Sequence, residues 1–148
     1  ALLDAWAAQV IAGRAPVQRR YFVPGVKAEA LVDRAASAFE ARNASYAISH
    51  EAAAQRYAPY LSHVGQVRCR LLASPAADDA LADLGARVVN DGANLAVIEV
   101  KSEGDLLFRE RAGNAWLASP IHVYLDLLKG EGRAKEMAEH LRKERICY

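Results

Sequence analysis

The 148-residue sequence has only two cysteines, Cys69 and Cys147, and neither sits in a Cys-x-x-Cys arrangement. With no secretory context, both read as reduced thiols, Cys69 as a small buried hydrophobe and Cys147 loose near the chain end. That excludes a disulfide scaffold and gives no support to thiol redox or zinc chemistry. Apolar runs are short: none approaches the roughly 20 residues of a spanning helix. The leading apolar segment is broken by Asp4 and Gln9 and has no basic stretch before it, which argues against a secretory signal. Aromatics make up only 7% of the chain, with five prolines and nine glycines, and there is no internal repeat or low-complexity tract. Strong charge of either sign is missing too: the net charge is +1, well short of a strongly basic nucleic-acid-binding domain.

What is present is apolar material, 53% of the residues, beside an ordinary 25% charged. One domain of this length buries a real core and does not read as disordered. The composition fits a soluble, cytoplasmic globular domain with no membrane partner, and a chain opening on Ala fits an excised piece of something longer. The small net charge hides an asymmetry: residues 1–72 carry +4 and residues 73–148 carry −3. A basic half favours polyanions, because each neutralised phosphate releases counterions. Arg14, Arg19 and Arg20 bracket a proline in a basic linker over residues 12–20, where such an arm would sit, although a solvated loop explains the same run.

Periodicity gives the elements. Leu2, Leu3, Trp6, Val10 and Ile11 follow helical spacing, so residues 1–20 read as a helix and linker ahead of a single domain over 21–148. Residues 19–23 form a short extended stretch. Helices are predicted over Val26 to Arg42, with Ala30, Leu31, Ala35, Ala38 and Phe39 inward, and over His50 to Tyr57, with Ser49 as its cap. Gln66 to Leu71 alternates polar and apolar, a half-buried strand with Arg68 and Arg70 on the wet face. Ser74-Pro75 and Ser119-Pro120 each give a helix start, cap then proline. Strands are predicted at 87–89 and 95–100, joined through Asp91-Gly92, and again over 106–111, which turns at Gly113 toward 115–117. A C-terminal helix pair hinges at Gly130 and Gly132. The expected class is α+β or α/β: a small mixed sheet with flanking helices.

Two sets of residues could carry chemistry. Asp91 with Glu99 and Lys101 has the residue types of a Mg²⁺-dependent nuclease of the PD-(D/E)xK class, where carboxylates hold metal and the lysine steadies charge. Glu99 and Lys101 share one side of a strand. Asp91 is eight residues from Glu99, roughly 26 Å along an extended strand, too far to share an ion unless the chain bends. Hairpin turn chemistry and a solvated strand face explain the same residues. The four histidines form no cluster, there is no G-x-S-x-G serine elbow and no phosphate loop, so no metal, cofactor or catalytic residue is assigned. The second set is the arginines 14, 19, 20, 68, 70 and 133, candidates for nucleic acid or a partner. Arg133 opens the last helix, where a cation is mildly unfavourable, so it either pairs with Asp126 or contacts a partner.

The C-terminal residues carry a longer pattern. Ser119-Pro120, then Tyr124-Leu125-Asp126-Leu127-Leu128, then Gly132-Arg133, then Ala138-Glu139-His140-Leu141-Arg142 together resemble the closing signature of the AbiEi antitoxins of type IV toxin–antitoxin systems. The Gly92 to Leu95 strand start and the Leu2 to Trp6 run are similar as well, and the likeness is strongest over residues 86–145. The resemblance implies a non-enzymatic bacterial regulator of the abortive-infection type. Family members pair a DNA-binding winged helix, which represses their own operon, with a C-terminal domain that acts against a nucleotidyltransferase-like toxin. This chain lacks the winged helix, so it reads as either the effector half of such a protein or a stand-alone relative. A structural domain that forms homodimers through the C-terminal helix pair is a further alternative.

Overall fold

The computed structural model describes residues 4–5, 18–60, 64–130 and 132–146. Its centre is a mixed seven-stranded sheet, comprising β1 (Gln18–Phe22), β2 (Tyr46–Ser49), β3 (Val67–Leu72), β4 (Arg87–Val88), β5 (Leu95–Val100), β6 (Glu110–Ala112) and β7 (Ala115–Leu117). Their order is β4-β1-β5-β3-β2-β7-β6. β3 runs parallel to β5 and β2 parallel to β7, while the other neighbours are antiparallel. Among the described residues the α-helices that complete the α+β fold are α1 (Ala28–Ala41), α2 (His50–Tyr57), α3 (Pro75–Asp83), α4 (Pro120–Leu128) and α5 (Ala134–Leu141).

One face of the sheet is covered by α1 and α3, and Phe39 of α1 packs its ring 5.1 Å from Tyr46 of β2. On the other lie α2 and α4, with α5 packed on both. Interior strand β5 is buried along most of its length: Leu95 and Val97 join the apolar core, and Ala96 and Ile98 on the opposite side are almost wholly buried as well. The signals at helix starts are real hydrogen bonds: the Ala77 N–H donates to the Ser74 hydroxyl at 3.0 Å, and the His122 N–H to the Ser119 hydroxyl at 3.2 Å. Asn43 leaves α1 in the left-handed conformation, φ 56°. Hairpin β6–β7 turns on Gly113 at φ 60°, the glycine of a type II′ turn.

Several expectations need correction. Residues 18–20 belong to β1 and not to a linker, because β1 is a paired interior strand between β4 and β5. For the same reason 87–88 and 95–100 are not a hairpin: each pairs with β1 and not with the other. The 106–111 strand is replaced by a 3₁₀ turn, Glu103–Leu106, before the short β6. Of Leu106, Leu107 and Phe108 only Leu106 is buried, so period-two alternation fails there. Strand β2 was not foreseen; four residues buried on both faces carry no alternation to read. Within α1 the inward stripe is Leu31, Val32, Ala35, Ala36 and Phe39, and Ala30 is exposed. Among the described residues no helix is long and apolar enough to cross a membrane.

Candidate functional site

The residues opposite one another across β1, β5 and β3 decide which arginines meet. Arg20 lies beside Ala96, and Ala96 beside Arg68. Both arginines therefore stand on the face that carries α2 and α4, separated by one alanine strand position. At 4.7–4.9 Å per strand their backbones are about 10 Å apart. With Gln18, Gln66, Asn90 and Asp91 they line an open hollow of about 680 Å³ at the start of β3 and β5. Arg20 is exposed and Arg68 half-buried, its Nε donating to Gln66 at 3.3 Å and its guanidinium 3.9 Å from Glu51 of α2. Gly92, at φ 74°, turns the rim and presents backbone rather than side chain to the opening.

Arg19, one position along β1, faces the opposite side of the sheet and pairs with Glu99 at 3.0 Å. Arg70 does not lie on a wet face. It is 8% exposed and holds Asp126 of α4 in a two-pronged pair, 2.7 and 2.6 Å. The reason is helix α4, which the sequence pattern could not lay over β3. Arg133 pairs with Glu136 at 3.2 Å and stacks on Tyr60, so Asp126 is not its partner. Arg14 lies outside the described residues. The structure thus brings Arg20 and Arg68 together, with Arg68 also held by Gln66 and Glu51, and assigns Arg19, Arg70 and Arg133 to closer intramolecular pairs.

Around the Arg70–Asp126 pair is a buried polar cluster. His50 enters α2 at φ 56°, with Nδ1 2.7 Å from the Ser49 hydroxyl and 3.8 Å from Asp126. Ser49 was expected to cap α2, yet its hydroxyl is spent on the His50 ring and makes no cap. Burial pushes the His50 imidazole down to about 4, opposed by Asp126 and assisted by the charges of Arg68, Arg70 and His122. Burial works to raise the Asp126 carboxyl, but Arg70 with the two histidines holds it below its ordinary range. Ser49 and Asp126 both approach the Nδ1 side of the ring, whereas an acyl-transfer triad uses opposite ring nitrogens. Ser49 is also fully buried. This cluster ties α2, β3 and α4 together.

The nuclease set is not gathered. Asp91 borders the polar hollow before β5 begins, whereas Glu99 is near the end of that strand and tied to Arg19. Lys101 lies past the end of β5 and is exposed. Among the described residues no three His, Cys, Asp or Glu side chains are placed to hold a metal. A second hollow, of about 1010 Å³, opens over the far end of the same sheet face between β5 and α4; its surface is mainly apolar, although charged side chains share its lining. Sequence reasoning missed Gln18 and Gln66 as companions of the arginines. The signal was available: Gln66, just ahead of β3, has the same phase as Arg68, as Gln18 has with Arg20 in β1.

The site therefore belongs to an α+β domain whose accessible polar feature is an arginine-bearing sheet face. No known family model, curated protein or solved structure matches the chain.

Proposed function

We propose that this chain is a non-enzymatic regulatory domain of the bacterial cytoplasm, of the antitoxin type its C-terminal pattern resembles, and that it works by binding. The observation behind this reading is the convergence of Arg20 and Arg68, with Gln18 and Gln66, on one open polar hollow. Two guanidiniums backed by side-chain amides suit a phosphate backbone: the cations neutralise charge and the amides add hydrogen bonds. Nucleic acid is the partner this chemistry favours.

The test is fluorescence anisotropy with labelled duplex DNA and single-stranded RNA over a range of salt. The wild type binds with an affinity that falls as salt rises. Replacing Arg20 and Arg68 together by Ala weakens binding and reduces the log–log salt slope by about 2 for duplex DNA, near 0.9 per lost phosphate contact. No binding by the wild type, or an unchanged slope in the double variant, removes nucleic acid from this site. The antitoxin role is read separately, by coexpression with a nucleotidyltransferase-like toxin from the same operon. Growth rescue supports it and continued toxicity rejects it.

A further inference from the structure

Leu107 and Phe108 are 61% and 83% exposed, two adjacent large apolar side chains standing in water. They are not on a slack loop. Leu106 before them is in the core, and the backbone N–H of Arg109 after them returns to its carbonyl at 3.4 Å. The Arg109 guanidinium donates to the Tyr46 carbonyl at 2.8 Å and lies 4.4 Å from the centre of the Trp116 ring. At the start of the turn the Ser45 hydroxyl donates to Glu103 at 2.7 Å. Between these anchors Phe108 takes φ 64°, a conformation that bulky side chains avoid. The fold thus holds a ring outward in a backbone conformation it does not prefer.

Those same two side chains border the hollow of about 1010 Å³, whose apolar lining includes Ile98 and Val100 of β5 and Ile121 and Leu125 of α4. A projection and a recess therefore share one face. Most of the charges around the recess are already matched within the chain, Arg70 with Asp126 and Arg145 with Glu110, which leaves Lys101 and Lys129 beside Asp105. A polyanion or a charged peptide finds little field to follow there. The partner that loses least on entering is another mainly apolar surface with few unmatched charges, which is what this face itself is.

We propose that this face is the interface of a two-fold homodimer, in which Leu107 and Phe108 of each copy enter the apolar hollow of the other. Projection and recess side by side make the contact isologous, so it closes at two copies and does not propagate. Exposed aromatic anchors that fill a partner's pocket are the usual centres of binding energy in such interfaces. The proposal is independent of the arginine hollow and does not need nucleic acid.

Sedimentation velocity on the full chain, from low micromolar to several hundred micromolar, tests it. The wild type moves with concentration from 16.1 kDa toward twice that mass. Phe108→Asp, at an exposed position, and Ile121→Asp, in the recess, each raise the dimer dissociation constant at least about tenfold, with unchanged circular dichroism for Phe108→Asp. A wild type that stays monomeric throughout overturns the proposal. So does a dimer that both variants leave intact, since it must then use another surface.

Discussion

His50 shows how one side chain couples charge, backbone and acidity. It is buried at a strand-to-helix junction in the left-handed region, between a serine hydroxyl and an ion pair. Because the folded chain holds its pKa at about 4 while the unfolded chain has about 6.5, only the unfolded state takes up the proton between those values. Stability is therefore full above pH 6.5 and falls as the pH drops toward 4, by roughly 3 kcal/mol at 1.36 kcal/mol per pKa unit. Below that window the depressed Asp126 carboxyl continues the loss as it protonates. His50→Asn, which tolerates the same backbone region, should flatten the pH dependence of urea unfolding between 6.5 and 4. An unaltered slope would assign it to other groups. None of this could be read from the sequence. His50 was legible as the first helical residue, and Asp126 as a member of the Tyr124 to Leu128 pattern and a candidate partner of Arg133. Their meeting depends on α4 crossing β3, a contact 56 positions apart between Arg70 and Asp126.

The helices illustrate where local rules suffice. Ser-Pro starts, the Asn43 stop and the bounds of α2 and β5 were all readable, since each depends on backbone groups within a few residues. Strand pairing was not, because β1 and β5 are joined by register alone across more than seventy residues. The turn between α4 and α5 has a requirement that glycine alone meets. A Cβ built on Gly130 would stand 2.7 Å from the Ala134 Cβ and 3.2 Å from the Leu127 carbonyl. Space, not a positive φ, keeps this position bare. Gly130→Ala should lower stability by about 1–3 kcal/mol, the usual cost of overpacking, measured by thermal or urea unfolding. Adding Ala134→Gly removes the obstructing methyl and should restore part of the loss beyond the sum of the two single changes. Strict additivity would mean that the close approach is not the cause.

The whole molecule also rearranges what the linear charge pattern suggested. Residues 1–72 and 73–148 differ in net charge, yet their strands interleave across the sheet, with β1 between β4 and β5, and β3 and β2 between β5 and β7. The basic half is threaded through the acidic one, so the charge asymmetry of the two halves has no matching division of the sheet. What survives of the arginine set is a local pair, Arg20 with Arg68, created by register. At the centre of the sheet, burial pushes the Cys69 thiol up to about 12, with Arg70 opposing weakly. In a Cys147→Ser background, alkylation of Cys69 should therefore wait on global opening. Its rate in increasing urea should follow the unfolding free energy measured independently. Fast labelling in native buffer would reveal local opening of β3.

The interior place of β1 sets an order of events during translation. Gln18–Phe22 leaves the ribosome long before either neighbour exists, since its partners are residues 87–88 and 95–100. At about 5–20 residues per second, that strand waits several seconds with both of its hydrogen-bonding edges unmatched. Over the same interval β2 and β3 can already pair, and α1 can settle on them. A β2–β3 pair made in that interval keeps its β3 edge vacant until β5 arrives, and β1 is sealed in by the same event. A ribosome stalled before residue 95 would leave open the β3 and β1 edges that await β5 and the β2 edge that awaits β7, which makes that stretch of synthesis the period when this chain most needs a chaperone.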